Sequence, residues 1–235
     1  MSPENSNIVD IPVISVDNAD YAPALVVVDM QNDFVAGSLD PDAICIVPTV
    51  DALMSLPFKA RIATQDFHSD NDISFAETIE GIEYNVVSIY HPEGKEKVPG
   101  LDKADWPVRC PAATEGGDFV SDLNRVRFDA VVHKGTHPSI ESYSAFRDVW
   151  GKEESELPKT LRKVGATDVY FCGLAGDYCI KYTTKDAIDC GYNAWIIKDA
   201  VGNISPSTFA WDEMLRKGIK LTTSEEIKGR LQSTT

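Results

Sequence analysis

Ala24-Leu25-Val26-Val27-Val28 is an unbroken apolar run, rich in β-branched side chains, with no polar residue to mark an exposed face. A run of this kind predicts a strand buried on both faces, which is the environment of a parallel sheet covered by helices. Shorter runs of the same character recur at Arg61–Thr64, Ala130–His133, Val169–Cys172 and Ala194–Ile197, and Lys220–Thr223 reads as a final edge strand.

Helical patterns separate these runs. Val47–Leu56 carries apolar residues at helical spacing, and Leu157–Val164 has Pro158 near its start and Gly165 just past its end. Proline early and glycine late is the asymmetry expected of a helix. Asp177–Cys190, closed by Gly191, predicts one long amphipathic helix, and Ser207–Arg216 a further one ending before Gly218. Alternation of strands and helices implies right-handed βαβ units. The expected fold is therefore α/β, a three-layer α/β/α arrangement with a central parallel sheet. Residues 1–20 read as a loose arm and 21–235 as one domain. The segment at about 77–105, rich in Gly, Glu, Lys and Pro, reads as an inserted loop region.

Charge narrows the choice of partner. The formal net charge of −15 repels nucleic acid and anionic membrane, and no basic stripe offsets it. No stretch reaches membrane-spanning length, and the N-terminus lacks the basic and apolar regions of a secretory signal. The five cysteines are odd in number and form no C-x-x-C pair, which argues for a reducing compartment with a thiol free for chemistry. A cytoplasmic protein acting on a small molecule is the expectation.

Ligands of open parallel sheets bind beyond the carboxyl ends of the strands. Asp29 follows the first strand, Asp66 and His68 the second, and Lys134 the run Val131-Val132-His133. Cys179 follows Val169–Cys172 through the turn Gly173-Leu174-Ala175-Gly176-Asp177-Tyr178 and opens the long predicted helix. A thiol at a helix N-terminus beside an ammonium is expected to favour thiolate. A carboxylate next to it can move the proton, and backbone N–H groups at the helix start can hold an oxyanion. Each residue alone has an ordinary structural explanation: a buried cysteine, a turn aspartate, a surface lysine.

Read as longer motifs, these residues resemble the isochorismatase-like cysteine hydrolases, and among them the nicotinamidases. The resemblance is carried by Val27-Val28-Asp29-Met30-Gln31-Asn32-Asp33-Phe34, by His133-Lys134-Gly135 with Ser142-Tyr143-Ser144-Ala145-Phe146 after it, and by Gly173-Leu174-Ala175-Gly176-Asp177-Tyr178-Cys179. The motifs run in family order from about Ala22 to about Arg216. The resemblance implies an amidohydrolase that deamidates nicotinamide through a Cys179 thioester, with Asp29 as general base and acid and Lys134 orienting the pair. It places a cis peptide at Leu174–Ala175 and an oxyanion hole at the amides of Ala175 and Cys179. It also makes Phe34, Trp106 and Tyr178, with Tyr143, the walls around the substrate ring, and homo-oligomers common. Other readings stay open: a related cysteine hydrolase for a different small carboxamide, or a catalytically silent binding protein of the same fold. Isochorismate cleavage is disfavoured by the presence of Cys179.

The resemblance also implies a divalent metal, and here the sequence departs from the pattern. Asp66 and His68 match two ligands, but Asp72 and Arg109 stand where the family has further histidines. Arginine stays protonated and has no lone pair to offer. In one reading Asp66, His68 and Asp72 hold Zn, Mg or Mn with waters while Arg109 turns aside. In the other the Arg109 guanidinium sits between Asp66 and Asp72 as a fixed charge and reads the substrate. The second is preferred, and it expects purified protein without stoichiometric metal.

Overall fold

The structure is a computed structural model and describes residues 20–35, 41–70, 72, 74–75, 86–90, 97–104, 107–204 and 211–233. Its centre is β1 (Pro23–Val28), buried at every position. β1 pairs in parallel with β2 (Ala60–Asp66) on one side and with β6 (Asp168–Gly173) on the other. β5 (Ala130–Lys134) continues the sheet beyond β2, and β7 (Asn193–Val201) and β8 (Lys220–Thr222) continue it beyond β6, all parallel. The order is therefore β5-β2-β1-β6-β7-β8.

The apolar run of β1 is explained by two cores. Ala24, Val26 and Val28 join Val169 and Phe171 of β6 on one face, against Leu157 and Leu161 of α3 (Glu156–Val164), Ala187 of α4 (Lys181–Asp189) and Met214 of α5 (Trp211–Arg216). Leu25 and Val27 join Tyr170 and Cys172 on the other face. There they meet Val50, Leu53 and Met54 of α2 (Val47–Met54) and Ile227 and Leu231 of α6 (Ser224–Gln232). Neighbouring side chains of a strand point to opposite faces, so a strand covered on both sides must be apolar throughout. Each fully buried Val or Leu contributes about 1.5–3 kcal/mol.

α3 starts where Ser155 accepts a hydrogen bond from the Leu157 N–H and stops at Gly165 in the left-handed region, as its proline–glycine asymmetry predicts. Two expectations need correction, and one helix was not foreseen. Asp177–Cys190 is not one helix: a π-type turn at Gly176–Ile180, in which Ile180 N–H donates to Ala175 O, precedes α4. The segment 77–105 is not simply loop. Val86–Tyr90 (β3) and Lys97–Ala104 (β4) form an antiparallel pair outside the main sheet. Antiparallel strands pair without a crossover helix between them. Residues after the edge strand form α6, closed at its start by a capping box between Thr223 and Glu226. Residues 1–19 of the expected arm and 207–210 of the expected Ser207–Arg216 helix lie outside the described residues.

Chain connections after β1 run outward to β2 and β5 and then return across β1 to β6. The topological switch falls between β1 and β6, and the carboxyl ends of those strands frame the crevice where ligands bind in such sheets.

Candidate active site

The sheet order brings together residues that are far apart in sequence. Asp66 and Lys134 are register partners at the ends of β2 and β5, and Asp29 stands one residue past the adjacent β1. Asp29 adopts a φ of 47°, a region that Asp tolerates better than most residues. This turns its side chain into the crevice. Its Oδ1 accepts from Thr64 Oγ1 at 2.6 Å and its N–H is shared between Thr64 O and Oγ1, each at 3.3 Å.

Gln31, fully buried, ties the two strand ends together. Its Nε2 donates to Asp66 O at 2.9 Å and Gly117 O at 2.7 Å, and its Oε1 accepts from Asp66 N–H at 2.8 Å. From the other side of β1, β6 ends at Gly173, whose φ is 107°. A Cβ there would meet the Val28 carbonyl well inside contact distance, so only glycine lets the chain cross β1 and turn back. The Leu174–Ala175 peptide that follows is cis, where the resemblance puts it. The π-type turn then delivers Cys179.

Lys134 is the hub. Its Nζ is 3.0 Å from Asp29 Oδ2, contacts Asp66 Oδ1, and lies 3.4 Å from Cys179 Sγ. All four residues are at most 5% exposed. Burial works to neutralise Lys134, but Asp29 and Asp66 outweigh it and hold its pKa well above the ordinary value. Burial also opposes ionisation of Asp66, yet Lys134 and His68 keep its carboxyl below the usual range. Asp29 is raised, by burial first and by Asp66, against the pull of Lys134.

Cys179 reverses an expectation. Its thiol is pushed well above its ordinary pKa, chiefly by burial and then by Asp29 and Asp66, which together overcome Lys134. The sulfur also sits in a π-type turn rather than in the first turn of an α-helix. The resting group is a thiol beside a carboxylate of raised basicity. This pair is suited to passing a proton at the moment of attack.

Cys179 opens on a small cleft lined by Phe34, Asp66, Arg109, Tyr143, Ala175, Tyr178 and Ile204. Tyr143 and Tyr178 pack with ring centroids 5.6 Å apart, and Tyr182 stacks behind Tyr143 at 5.4 Å. The Ala175 N–H donates to no protein acceptor among the described residues, and no backbone hydrogen bond outside the turn uses the Cys179 N–H. Both are the amides expected to face an oxyanion. Trp106 lies outside the described residues. Ile204 was not foreseen. It follows β7, with its N–H on Asp177 Oδ1 at 3.1 Å, and nothing in its sequence neighbourhood marks it. Gln31 and Thr64 were also missed, although Gln31 lies inside the first motif.

The expected metal ligands are near one another but do not converge on one point. His68 occupies the place between Asp66 and Asp72 that the sequence reading gave to Arg109. Its Nε2 is 3.4 Å from Asp66 Oδ2 and its Nδ1 is 3.1 Å from Asp72 Oδ2. A metal needs one histidine nitrogen close to both carboxylates, whereas His68 turns opposite nitrogens to them. Burial opposes its protonation, but Asp66 and Asp72 raise its pKa to about 9, so a metal at either nitrogen would have to displace a proton.

Among the described residues, Asp29, Asp66 and Cys179 bring ligand atoms within 4.8 Å of one another. That cluster is compatible in composition with an ion, but the Lys134 ammonium already lies among its atoms. Arg109 is buried beside it, with Nη1 donating to Ser74 Oγ at 3.0 Å. Its charge, disfavoured by burial, is upheld first by Glu141 and next by Asp66. The donor set of Asp29, Asp66 and Cys179 is thus compatible with an ion, while in this arrangement the Lys134 ammonium contacts all three.

Comparison with known proteins agrees with this geometry. An isochorismatase domain matches residues 23–226, and the chain belongs to that family. Within it, the chain is 35% identical over 209 residues to a nicotinamidase of Escherichia coli strain K12, covering 85% of this chain and 94% of that protein. A nicotinamidase/pyrazinamidase structure from Acinetobacter baumanii superposes with a TM-score of 0.77 at 31% identity, over 89% of this chain and all of that one. A pyrazinamidase of Pyrococcus horikoshii, solved in complex with zinc, has a TM-score of 0.66 at 33% identity, over 86% of this chain and 99% of that one.

Proposed function

We propose that this protein hydrolyses nicotinamide to nicotinate and ammonia through a thioester on Cys179. The observation that carries the reading is the meeting of the Cys179 thiol, Asp29 and the Lys134 ammonium at the floor of an aromatic cleft. The similarity to nicotinamidases supports the choice of amide. The alternatives, a different carboxamide or a silent binding protein, have no such support.

A flat pyridine ring suits the walls offered by Phe34, Tyr143 and Tyr178. With the ring there, the carboxamide carbon faces Cys179 Sγ. Asp29 takes the thiol proton as the S–C bond forms, and the carbonyl electron pair moves onto oxygen. The N–H groups of Ala175 and Cys179 receive that oxyanion. Asp29 returns the proton to the amide nitrogen, the C–N bond breaks and ammonia leaves. A water, deprotonated by Asp29, then attacks the thioester. The C–S bond breaks, nicotinate departs, and Asp29 gives the proton back to sulfur. Lys134 keeps the charge of Asp29 and of the departing sulfur balanced in a site buried from bulk solvent. No step requires a resident ion.

The test is ammonia release from nicotinamide by the purified protein, together with mass spectrometry of acid-quenched enzyme. A nicotinoyl adduct on the Cys179 peptide is the expected result. Turnover with no adduct, and with Cys179→Ala still active, would end the covalent route.

A further inference from the structure

Arg109 puts a permanent cation into the wall of the Cys179 cleft while only 4% exposed. Burying a guanidinium is costly unless it is paired, and the protein pairs it from behind. Nη1 donates to Ser74 Oγ, and Ser74 N–H is itself fixed by Asp72 Oδ1 at 2.8 Å. Glu141 is 2% exposed, and its Oε2 makes no hydrogen bond among the described residues, yet its charge is the largest favourable influence on Arg109. A cation supported in this way at the edge of a cleft has a fixed direction, and an Arg presents several donors in a planar fork.

Two consequences follow. An arginine cannot ligate a metal, and a dication in the same small cleft would meet it with little screening. The ligand needs an acceptor on the side away from the scissile bond. With the carboxamide carbonyl committed to Cys179 and the Ala175 N–H, the acceptor left on nicotinamide is the ring nitrogen.

We propose that Arg109 is the specificity-determining cation of this site: its guanidinium donates a hydrogen bond to the ring nitrogen of a pyridine carboxamide, in place of a divalent ion. The proposal rests on the reading of nicotinamide as substrate and selects the pyridine ring over a plain aromatic one.

The test uses the full chain carrying Cys179→Ala, dialysed against a chelator, with its metal content measured by elemental analysis. Nicotinamide and benzamide, which differ only in the ring nitrogen, are titrated by calorimetry. A hydrogen bond to a charged donor gives an expected preference of about ten- to a hundredfold for nicotinamide in metal-free protein. Adding Arg109→Met should abolish that preference. Arg109→Lys, which keeps the charge without the fork and is the safer variant for folding, should reduce it several-fold.

Stoichiometric metal that survives chelation, a preference seen only after zinc or manganese is added, or a preference unchanged in a folded Arg109 variant would each overturn the assignment. Ammonia release by chelated wild-type protein is measured in parallel. Ring-nitrogen preference without ammonia release leaves the Arg109 assignment standing and removes the hydrolysis reading. Release without the preference removes the Arg109 assignment alone, and failure of both removes both.

Discussion

The Lys134 ammonium stands 3.0 Å from Asp29 Oδ2 with both side chains sealed from solvent, and the same ammonium contacts Asp66. Two buried carboxylates thus share this cation, Asp66 with further support from His68. Lys134→Met removes it and leaves like charges facing each other, so stability should fall by about 3–5 kcal/mol and turnover should be lost. Urea denaturation measures the first effect. Adding Asp66→Asn should restore part of the stability and none of the turnover. If the single variant denatured like wild type, Lys134 would not be the counter-ion of this cluster.

Cys179 carries the opposite expectation. It is small, sits on a turn and contributes little apolar surface, so Cys179→Ala should melt within a few degrees of wild type. Ammonia release should nevertheless drop by about 10⁴-fold or more, because the nucleophile acts as one unit with its base. Asp29→Ala should be nearly as damaging to turnover. Activity within a few-fold of wild type in either variant would be incompatible with the proposed thioester.

The raised pKa of Cys179 has a measurable sign. Burial and the carboxylates of Asp29 and Asp66 keep the proton on sulfur, and the thiolate is the species that alkylates. The rate of Cys179 alkylation by iodoacetamide in the free enzyme should therefore climb with each step in pH from 7 through about 9. A thiolate already formed at neutral pH would give a flat profile. Peptide mapping separates Cys179 from the exposed Cys45. Loss of Lys134 should push the profile further to alkaline pH, since that ammonium is the influence favouring thiolate.

Much of this was legible in the sequence, and the reasons are local. The run Ala24–Val28 could only be a strand covered on both faces, and the Pro158–Gly165 asymmetry framed α3 within a residue. Asp29, Lys134 and Cys179 drew notice at strand ends, but it was the longer motifs resembling the isochorismatase-like hydrolases that singled them out. The state of Cys179 was not readable, because its pKa is set by burial and then by Lys134, Asp29 and Asp66, all products of strand order rather than of neighbours in the chain. His68 between Asp66 and Asp72 depends on ring orientation, which no spacing rule gives. β4 escaped notice because its charged, proline- and glycine-containing sequence has no apolar signature, and β3 because its run Val86-Val87-Ser88-Ile89-Tyr90 sits in a segment otherwise rich in Gly, Glu, Lys and Pro. α6 was overlooked although Thr223 and Glu226 spell a capping box.

Gln31 offers the last prediction, and one that separates geometry from chemistry. Its amide cannot reach substrate through the strand ends that bury it, yet it fixes both backbone groups of Asp66 and so the carboxylate that Lys134 shares with Asp29. Gln31→Glu changes size little but turns the donor facing Asp66 O and Gly117 O into an acceptor. Gly117 O keeps its second donor, Gln65 Nε2, but the bond lost at Asp66 O costs about 1–3 kcal/mol if that carbonyl is left unsatisfied, and a new negative charge would lie close to Asp66. Stability should fall by at least that of one lost bond, and kcat should fall with it as Asp66 and Lys134 shift. Gln31→Leu, which adds no charge, should lose stability but retain more turnover than Gln31→Glu. If the two variants lose turnover equally, the clamp matters only for folding. If Gln31→Glu denatures within about 0.5 kcal/mol of wild type, the backbone of Asp66 is held by something other than Gln31.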